Sequence, residues 1–215
     1  SAARVASLVH EAAAISARIV AQARRGGGGR AEYRARRRLL ATLTTVRGFG
    51  YPRGPGKGEG RANMVAFKLN GAQVRADAPD TAPLLYVLAN DLRVNGVKYG
   101  CGRSQCGACT VLIDGEAARA CQIPASAAAG RSVTTLEGLR EGDGKPGRLQ
   151  KAFIAEQAAQ CGYCLPGMIV QAQALLDRNP DPTDADVRAA LAGNLCRCGS
   201  HNRIVRAVLR AAKEG

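Results

Sequence analysis

From Met64 onward the alternation of apolar and polar residues is regular, and its period changes along the chain. "MVAFKLNGAQVRADA" (64–78) alternates around Asn70-Gly71, with Val65, Phe67 and Leu69 on one face. Asn-Gly supplies the positive φ angles of a two-residue hairpin turn, so two antiparallel strands are predicted. "DTAPLLYVLANDL" (80–92) switches to helical spacing: Asp80 or Thr81 is the expected N-cap, Pro83 falls in the first turn, and Leu84, Leu85, Leu88 and Leu92 form the stripe. "CTVLIDGEAARAC" (109–121) returns to strand character around Asp114-Gly115, a second hairpin whose return strand is expected to end at Cys121. A small sheet clasping one helix beside a glycine-rich loop outlines a β-grasp domain over residues 64–140. From about Arg148 the period is helical in "GRLQKAFIAEQAAQ", "PGMIVQAQALLDRN", "PTDADVRAALAGN" and "NRIVRAVLRAAK", with Gly, Pro or Asn between segments and Thr183 and Asp186 spaced as a capping pair. These segments predict a small four-helix bundle over 148–213. The fold class is α+β.

Residues 1–63 break the pattern, and here composition changes the picture. The 215 residues are 46% hydrophobic, enough to bury a core in one large domain or two small ones. The net charge of +14 suggests nucleic acid until its distribution is counted: 13 Lys and Arg against 3 Asp and Glu fall within residues 1–63, leaving 18 against 14 for the rest. The segment offers one amphipathic stretch, "VASLVHEAAAISARIVAQARR", followed by "GGGG", "RARRRLL" and "YPRGPGKGEG". It reads as a basic, disordered, solvated extension. Binding to nucleic acid or a membrane surface is weakened by the lack of interleaved aromatics. "ARRRLLATLTTV" faintly suggests an export signal with paired arginines, but its apolar part is short, interrupted by Arg47 and deep in the chain. A further reading is that the extension is not native protein, since Met64 opens the first convincing strand. No apolar run approaches the length of a membrane span. A cytoplasmic location is expected, with export of an assembled complex on a partner's signal left open.

The eight cysteines form two groups of four: Cys101, Cys106, Cys109 and Cys121, then Cys161, Cys164, Cys196 and Cys198. No secretory signal pattern is read at the start and the chain is too large to need covalent staples, so metal ligation is favoured over disulfides. "YGCGRSQCGACTVLIDG" has the CxxxxCxxC spacing of plant-type 2Fe-2S centres with a distal fourth cysteine. Two irons bridged by two sulfides need two thiolates per iron, and Gly100, Gly102 and Gly107 let the backbone close around such a group while its amides face the sulfurs. A structural Zn site is the rival, although zinc ribbons favour paired CxxC knuckles. The second quartet comes from "QCGYCLPGMI" and "NLCRCGSHNRI", each at a break that precedes a helix, where helix dipoles favour an anionic group. CxxC with CxC alone leaves Zn and 2Fe-2S open; beside a plant-type site, iron is preferred.

These three stretches, in this order on a β-grasp followed by a helical bundle, resemble the small iron–sulfur subunit of the molybdenum hydroxylases, the family of xanthine dehydrogenase, aldehyde oxidoreductase and isoquinoline 1-oxidoreductase. The resemblance covers about Met64 to Ala212. Where many members have Thr-Gly-Tyr after CRC, this chain has Gly199, Ser200 and His201, as in the isoquinoline 1-oxidoreductase-like branch. It implies an electron-transfer subunit of a hetero-oligomeric oxidoreductase with two 2Fe-2S clusters held by the eight cysteines. The substrate-transforming site would lie on a large subunit with a molybdenum-pterin cofactor, which hydroxylates an aldehyde or N-heterocycle. The resemblance also implies that the helical-domain cluster lies nearer the pterin, with Cys198 and Gln160 matching positions that touch it. The β-grasp cluster would then face the next acceptor, a flavin subunit or a cytochrome. A free-standing ferredoxin-like carrier is the alternative. "GGGG" lacks the spacing and strand context of a nucleotide-binding loop. His201 reads as a helix-start or surface residue, Met168 as packing, Tyr163 as a cover over the cluster, and Arg197 and Arg203 equally as partner-facing or solvated charges.

Overall fold

A computed structural model describes residues 62–142 and 144–214, all within one compact unit. The expectations for residues 1–61 lie outside the described residues. The first hairpin forms as its turn dictates. Strands β1 (Ala62–Leu69) and β2 (Ala72–Pro79) pair antiparallel, with Leu69 opposite Ala72 and positive φ at Asn70 (49°) and Gly71 (89°). Val65, Phe67 and Leu69 are buried on one face. β1 reaches back two residues beyond Met64, because Ala62 and Asn63 still find partners in Pro79 and Ala78.

The following helix departs from expectation at its start. A short α1 (Leu84–Tyr86) runs directly into a π-helical turn, Val87–Asp91. Neither Asp80 nor Thr81 caps it; Pro83 is the N-cap and no side chain bonds there. The reason is non-local: the amides of Leu84 and Leu85 donate to the carbonyls of Ile123 (2.8 Å) and Ala120 (2.9 Å), so the first helical donors are already satisfied. Leu84, Leu85 and Leu88 are fully buried, as their stripe required.

Strands β3 (Thr110–Ile113) and β4 (Glu116–Arg119) form the second hairpin through Asp114 and Gly115, both at positive φ. β4 stops at Arg119, short of the expected Cys121. There the Gln122 amide turns back to the Arg119 carbonyl at 3.1 Å, which releases Cys121 from the ladder. A three-residue β5 (Ser132–Thr134), too short to show a period, runs parallel to β1 and antiparallel to β3 and completes the sheet order β2-β1-β5-β3-β4.

The four expected helices follow: α2 (Arg148–Ala155), α3 (Leu165–Arg178), α4 (Asp184–Leu191) and α5 (His201–Lys213). Their inward residues, among them Phe153, Met168, Val187, Ile204 and Val208, make a core separate from that under the sheet. A third small cluster of Leu112, Val170 and Ala174 joins the layers. Every residue of β3 is buried, because one side of the strand faces the first core and the other faces α3. The fold is α+β. Among the described residues no helix is long and apolar enough to cross a membrane.

Candidate metal centres

The first cysteine loop is tied down before it reaches its sulfurs. The Glu137 carboxylate accepts the amides of Asn95 (3.0 Å) and Gly96 (2.5 Å), and the Lys98 amide bonds the Ala108 carbonyl at 3.2 Å. Between them, Gly102 and Ser104 take positive φ (66° and 58°), and alternating handedness turns successive amides inward as an anion-binding nest. The amides of Arg103, Gln105 and Cys106 converge on Cys101 Sγ at 3.3, 3.3 and 3.4 Å. The Cys101 amide donates to Cys106 Sγ at 3.3 Å, and the Ser104 amide to Cys121 Sγ at 3.4 Å. Gly100 has to be glycine, since a Cβ there would run into Cys106 Sγ. All four sequence-predicted cysteines of this group therefore reach one loop, with Cys109 and Cys121 buried and Cys101 and Cys106 half-buried.

Electrostatics separates the sulfurs into unlike members. Burial pushes the Cys101 thiol up, but the three loop amides outweigh it and bring the thiol down to about 7. The Cys109 thiol is pushed up to about 12, first by burial and further by Cys121. Cys101 interacts with Cys106, and Cys109 with both Cys121 and Cys106.

The second quartet is assembled by two helix starts. Cys164 is the N-cap residue of α3, and Gly162 at φ 80° turns the chain so that Cys161 precedes it on the surface. Cys196 and Cys198 lie just before α5, with Gly199 at φ 74° entering the helix. All four interact: Cys161 with Cys198 and Cys196, and Cys164 with Cys196 and Cys161. Burial pushes the Cys164 thiol up to about 12, whereas the Tyr163 amide draws the exposed Cys161 down. Gln160, Cys161, Tyr163, Leu195 and Arg197 form an exposed rim. Met168 is fully buried packing, and the His201 ring meets the Asn194 carbonyl at 3.4 Å.

The donor sets fit dinuclear iron groups. Each site offers four thiolates, two for each iron of a bridged pair, and at the first site backbone amides aim at the sulfurs of an anionic group.

The sequence reading missed the contacts between the two loops. The Leu195 amide donates to the Cys106 carbonyl at 2.9 Å, and Tyr163 Oη donates to the Tyr99 carbonyl at 2.5 Å. Gly167, in the first turn of α3, lies so close to Gly107 that a Cβ would collide with the Gly107 carbonyl oxygen. The only sequence signal for this approach is a glycine inside each motif, which shows that something comes near without showing what.

Comparison with known proteins bears on this arrangement directly. Residues 67–131 match the 2Fe-2S iron-sulfur cluster binding domain, and residues 135–209 match the [2Fe-2S] binding domain. The chain is 57% identical over 149 residues to a nicotinate dehydrogenase subunit of Pseudomonas putida, a match covering 69% of this chain and 94% of that protein. It is 54% identical over 152 residues to the alpha chain of isoquinoline 1-oxidoreductase from Brevundimonas diminuta, covering 70% and 99%. The chain belongs to the iron–sulfur subunits of the molybdenum hydroxylases. The crystal structure of quinoline 2-oxidoreductase from Pseudomonas putida 86 contains a similar chain, with a TM-score of 0.67 at 36% identity over 72% of this chain and 98% of that one. Aldehyde oxidoreductase from Desulfovibrio desulfuricans superposes with a TM-score of 0.67 at 44% identity over 71% of this chain, which covers 17% of that longer chain. As a member of this family the chain carries two 2Fe-2S domains and serves as the electron-transfer subunit of an oxidoreductase complex with a large molybdenum-containing subunit. It is not a free ferredoxin.

Proposed function

We propose that electrons from the molybdenum-pterin centre of the large subunit enter this chain at the helical site and leave from the β-grasp site. Cys161 with Cys198 and Cys164 with Cys196 would hold one 2Fe-2S group within 148–213. Cys101 with Cys106 and Cys109 with Cys121 would hold the other within 64–140. Such groups supply one-electron chemistry, each taking or giving a single electron. The chain's own part is to hold and orient. The loop amides on Cys101, Cys106 and Cys121 stabilise negative charge, and burial of Cys109 and Cys121 keeps water from half of the first site. The observation that carries the reading is the convergence of loop amides on the sulfurs of Cys101, Cys106 and Cys121, in a loop joined to the second quartet by the hydrogen bond from Leu195 to Cys106.

The exposed rim at the helical site supports this direction. Gln160 and Cys161 are open there, and Gln160 and Cys198 are the positions that the family resemblance assigns to contact with the pterin. Exposed Arg103 and Gln105 mark the other end, toward a flavin subunit or a cytochrome. The names of the relatives, built on nicotinate, isoquinoline and quinoline, support an N-heterocyclic substrate for the complex, with aldehydes the other class. We place the subunit in the cytoplasm.

The test is paramagnetic resonance of the reduced complex with an iron count. Cys106→Ser is expected to abolish one of two 2Fe-2S signals and spare the other, and Cys164→Ser to do the reverse. Stoichiometric zinc without iron would overturn the ligand sets. In rapid mixing with substrate, Gln160→Ala is expected to slow reduction of this chain while both signals persist. Slowing of only the acceptor step would reverse the direction.

A further inference from the structure

Between the two sites the chain builds a contact that neither cysteine motif contains. Arg119, the last residue of β4, is half-buried and stands opposite Thr110 of β3. Its guanidinium donates from Nη1 to the Thr110 hydroxyl and to Gln171 Oε1 on α3 at 3.2 Å. From Nη2 it donates to the Gly193 carbonyl at 3.3 Å and to Asn194 Oδ1 at 3.0 Å. Every acceptor is a neutral oxygen, so no carboxylate in this contact explains why a cation is kept here. Asn194, only 2% exposed, extends the contact, because its Nδ2 donates to the Gly107 carbonyl at 3.3 Å. The next amide, that of Leu195, is the one on the Cys106 carbonyl.

We propose that Arg119, acting through Asn194, is the positioning residue for electron passage between the two sites, holding the loop before Cys196 against the loop of Cys106. This rests on the ligand sets proposed above. A planar fork bonded to three elements at once fixes both the distance and the rotation of one loop against the other, which a lysine ammonium on a flexible stem does not. What the fork holds in place is the Leu195 amide on the Cys106 carbonyl, which links a cysteine of one set to the residue beside Cys196 of the other. Electronic coupling falls steeply when such a bond lengthens, so loosening the fork slows exchange without removing any thiol.

The experiment uses the assembled complex and three variants, Arg119→Gln, Arg119→Lys and Asn194→Ala. Rapid-freeze paramagnetic resonance follows how fast an electron arriving at one site equilibrates with the other, and the fully reduced sample reports the magnetic splitting between the two signals. Iron content and both midpoint potentials are measured alongside. Expected are full iron, two intact signals, diminished splitting, and exchange slowed about tenfold or more in all three variants. Arg119→Lys and Asn194→Ala, which keep the positive charge, are expected to retain the wild-type potentials, and this separates positioning from a charge effect. Unchanged exchange and splitting would overturn the proposal, as would selective loss of iron from one site in Asn194→Ala, which marks mere structural support. If the Arg119 variants do not fold, Asn194→Ala decides alone. A wild-type complex lacking two 2Fe-2S signals would instead overturn the ligand sets.

Discussion

Gly107 shows how one atom's absence positions a site. At φ 73° it occupies a conformation that L side chains rarely adopt, and an added Cβ would also collide with the Asn194 amide and the Gly193 carbonyl. Gly115 makes a useful control, since its φ is 88° but nothing lies within 4 Å of its missing Cβ. Gly115→Ala is expected to cost only the left-handed penalty, roughly 1–2 kcal/mol, and to keep full iron. Gly107→Ala is expected to cost more, because Asn194 is buried, and to lower iron occupancy as the Cys106 and Cys196 loops are forced apart. Thermal melting and iron analysis of the two variants check this; equal effects would show that backbone strain alone matters. The sequence reading assigns Gly107 to closing the loop around a cluster, not to a contact with another part of the chain. Its contact with Asn194 was not legible, because Asn194 lies 87 residues away.

Elements were legible where their signals are local. Asn70-Gly71 and Asp114-Gly115 determine both hairpins by the φ angles they permit, and the apolar period alone gives the helices α2 to α5. The start of α1 was illegible for the opposite reason, its donors being satisfied by the chain at Ala120 and Ile123. At α4 the reading and the structure coincide: the Asp186 amide donates to Thr183 Oγ1 at 3.2 Å, and the Thr183 amide donates to Asp186 Oδ2 at 2.9 Å. Thr183→Ala is therefore expected to lower stability at neutral pH by about 1 kcal/mol. The Thr183 hydroxyl, and then its amide, hold the Asp186 carboxyl below its ordinary value. A group depressed on folding contributes stability above its unfolded pKa and loses it as pH falls through the folded value. The difference between wild type and Asp186→Asn should accordingly be present at neutral pH and vanish in strong acid. Urea titrations across that range measure it, and a difference that grows toward acid would contradict the cap's charge.

At the scale of the whole molecule the question is whether two cluster domains behave as two bodies. The sequence suggests two, with the strand period over 64–140, the helical period over 148–213 and a complete cysteine quartet in each. The structure joins them through β3. Its four residues "TVLI" read as one strand of a hairpin, and all four are buried, because Val170 and Ala174 of α3 cover the side that a solitary β-grasp would leave to water. That second cover could not be read locally, since a short apolar run is consistent with burial on one face or both. Tyr163 on Tyr99, Leu195 on Cys106 and Gly167 against Gly107 tie the same seam at the cysteine loops. Such a seam predicts one cooperative unit. Leu112→Ala removes a side chain that is 4% exposed and contacts α3, not the first core, so it is expected to cost roughly 2–5 kcal/mol. Because Leu112 holds neither quartet, the loss should appear equally at both. In thermal or denaturant unfolding of the iron-loaded chain, the two sites should bleach together in wild type, and together again at a lower midpoint in Leu112→Ala. If the variant instead released the β-grasp site first while the helical site stayed intact, the seam would be only a contact between independent domains, and the loops could not be held in register by packing across it.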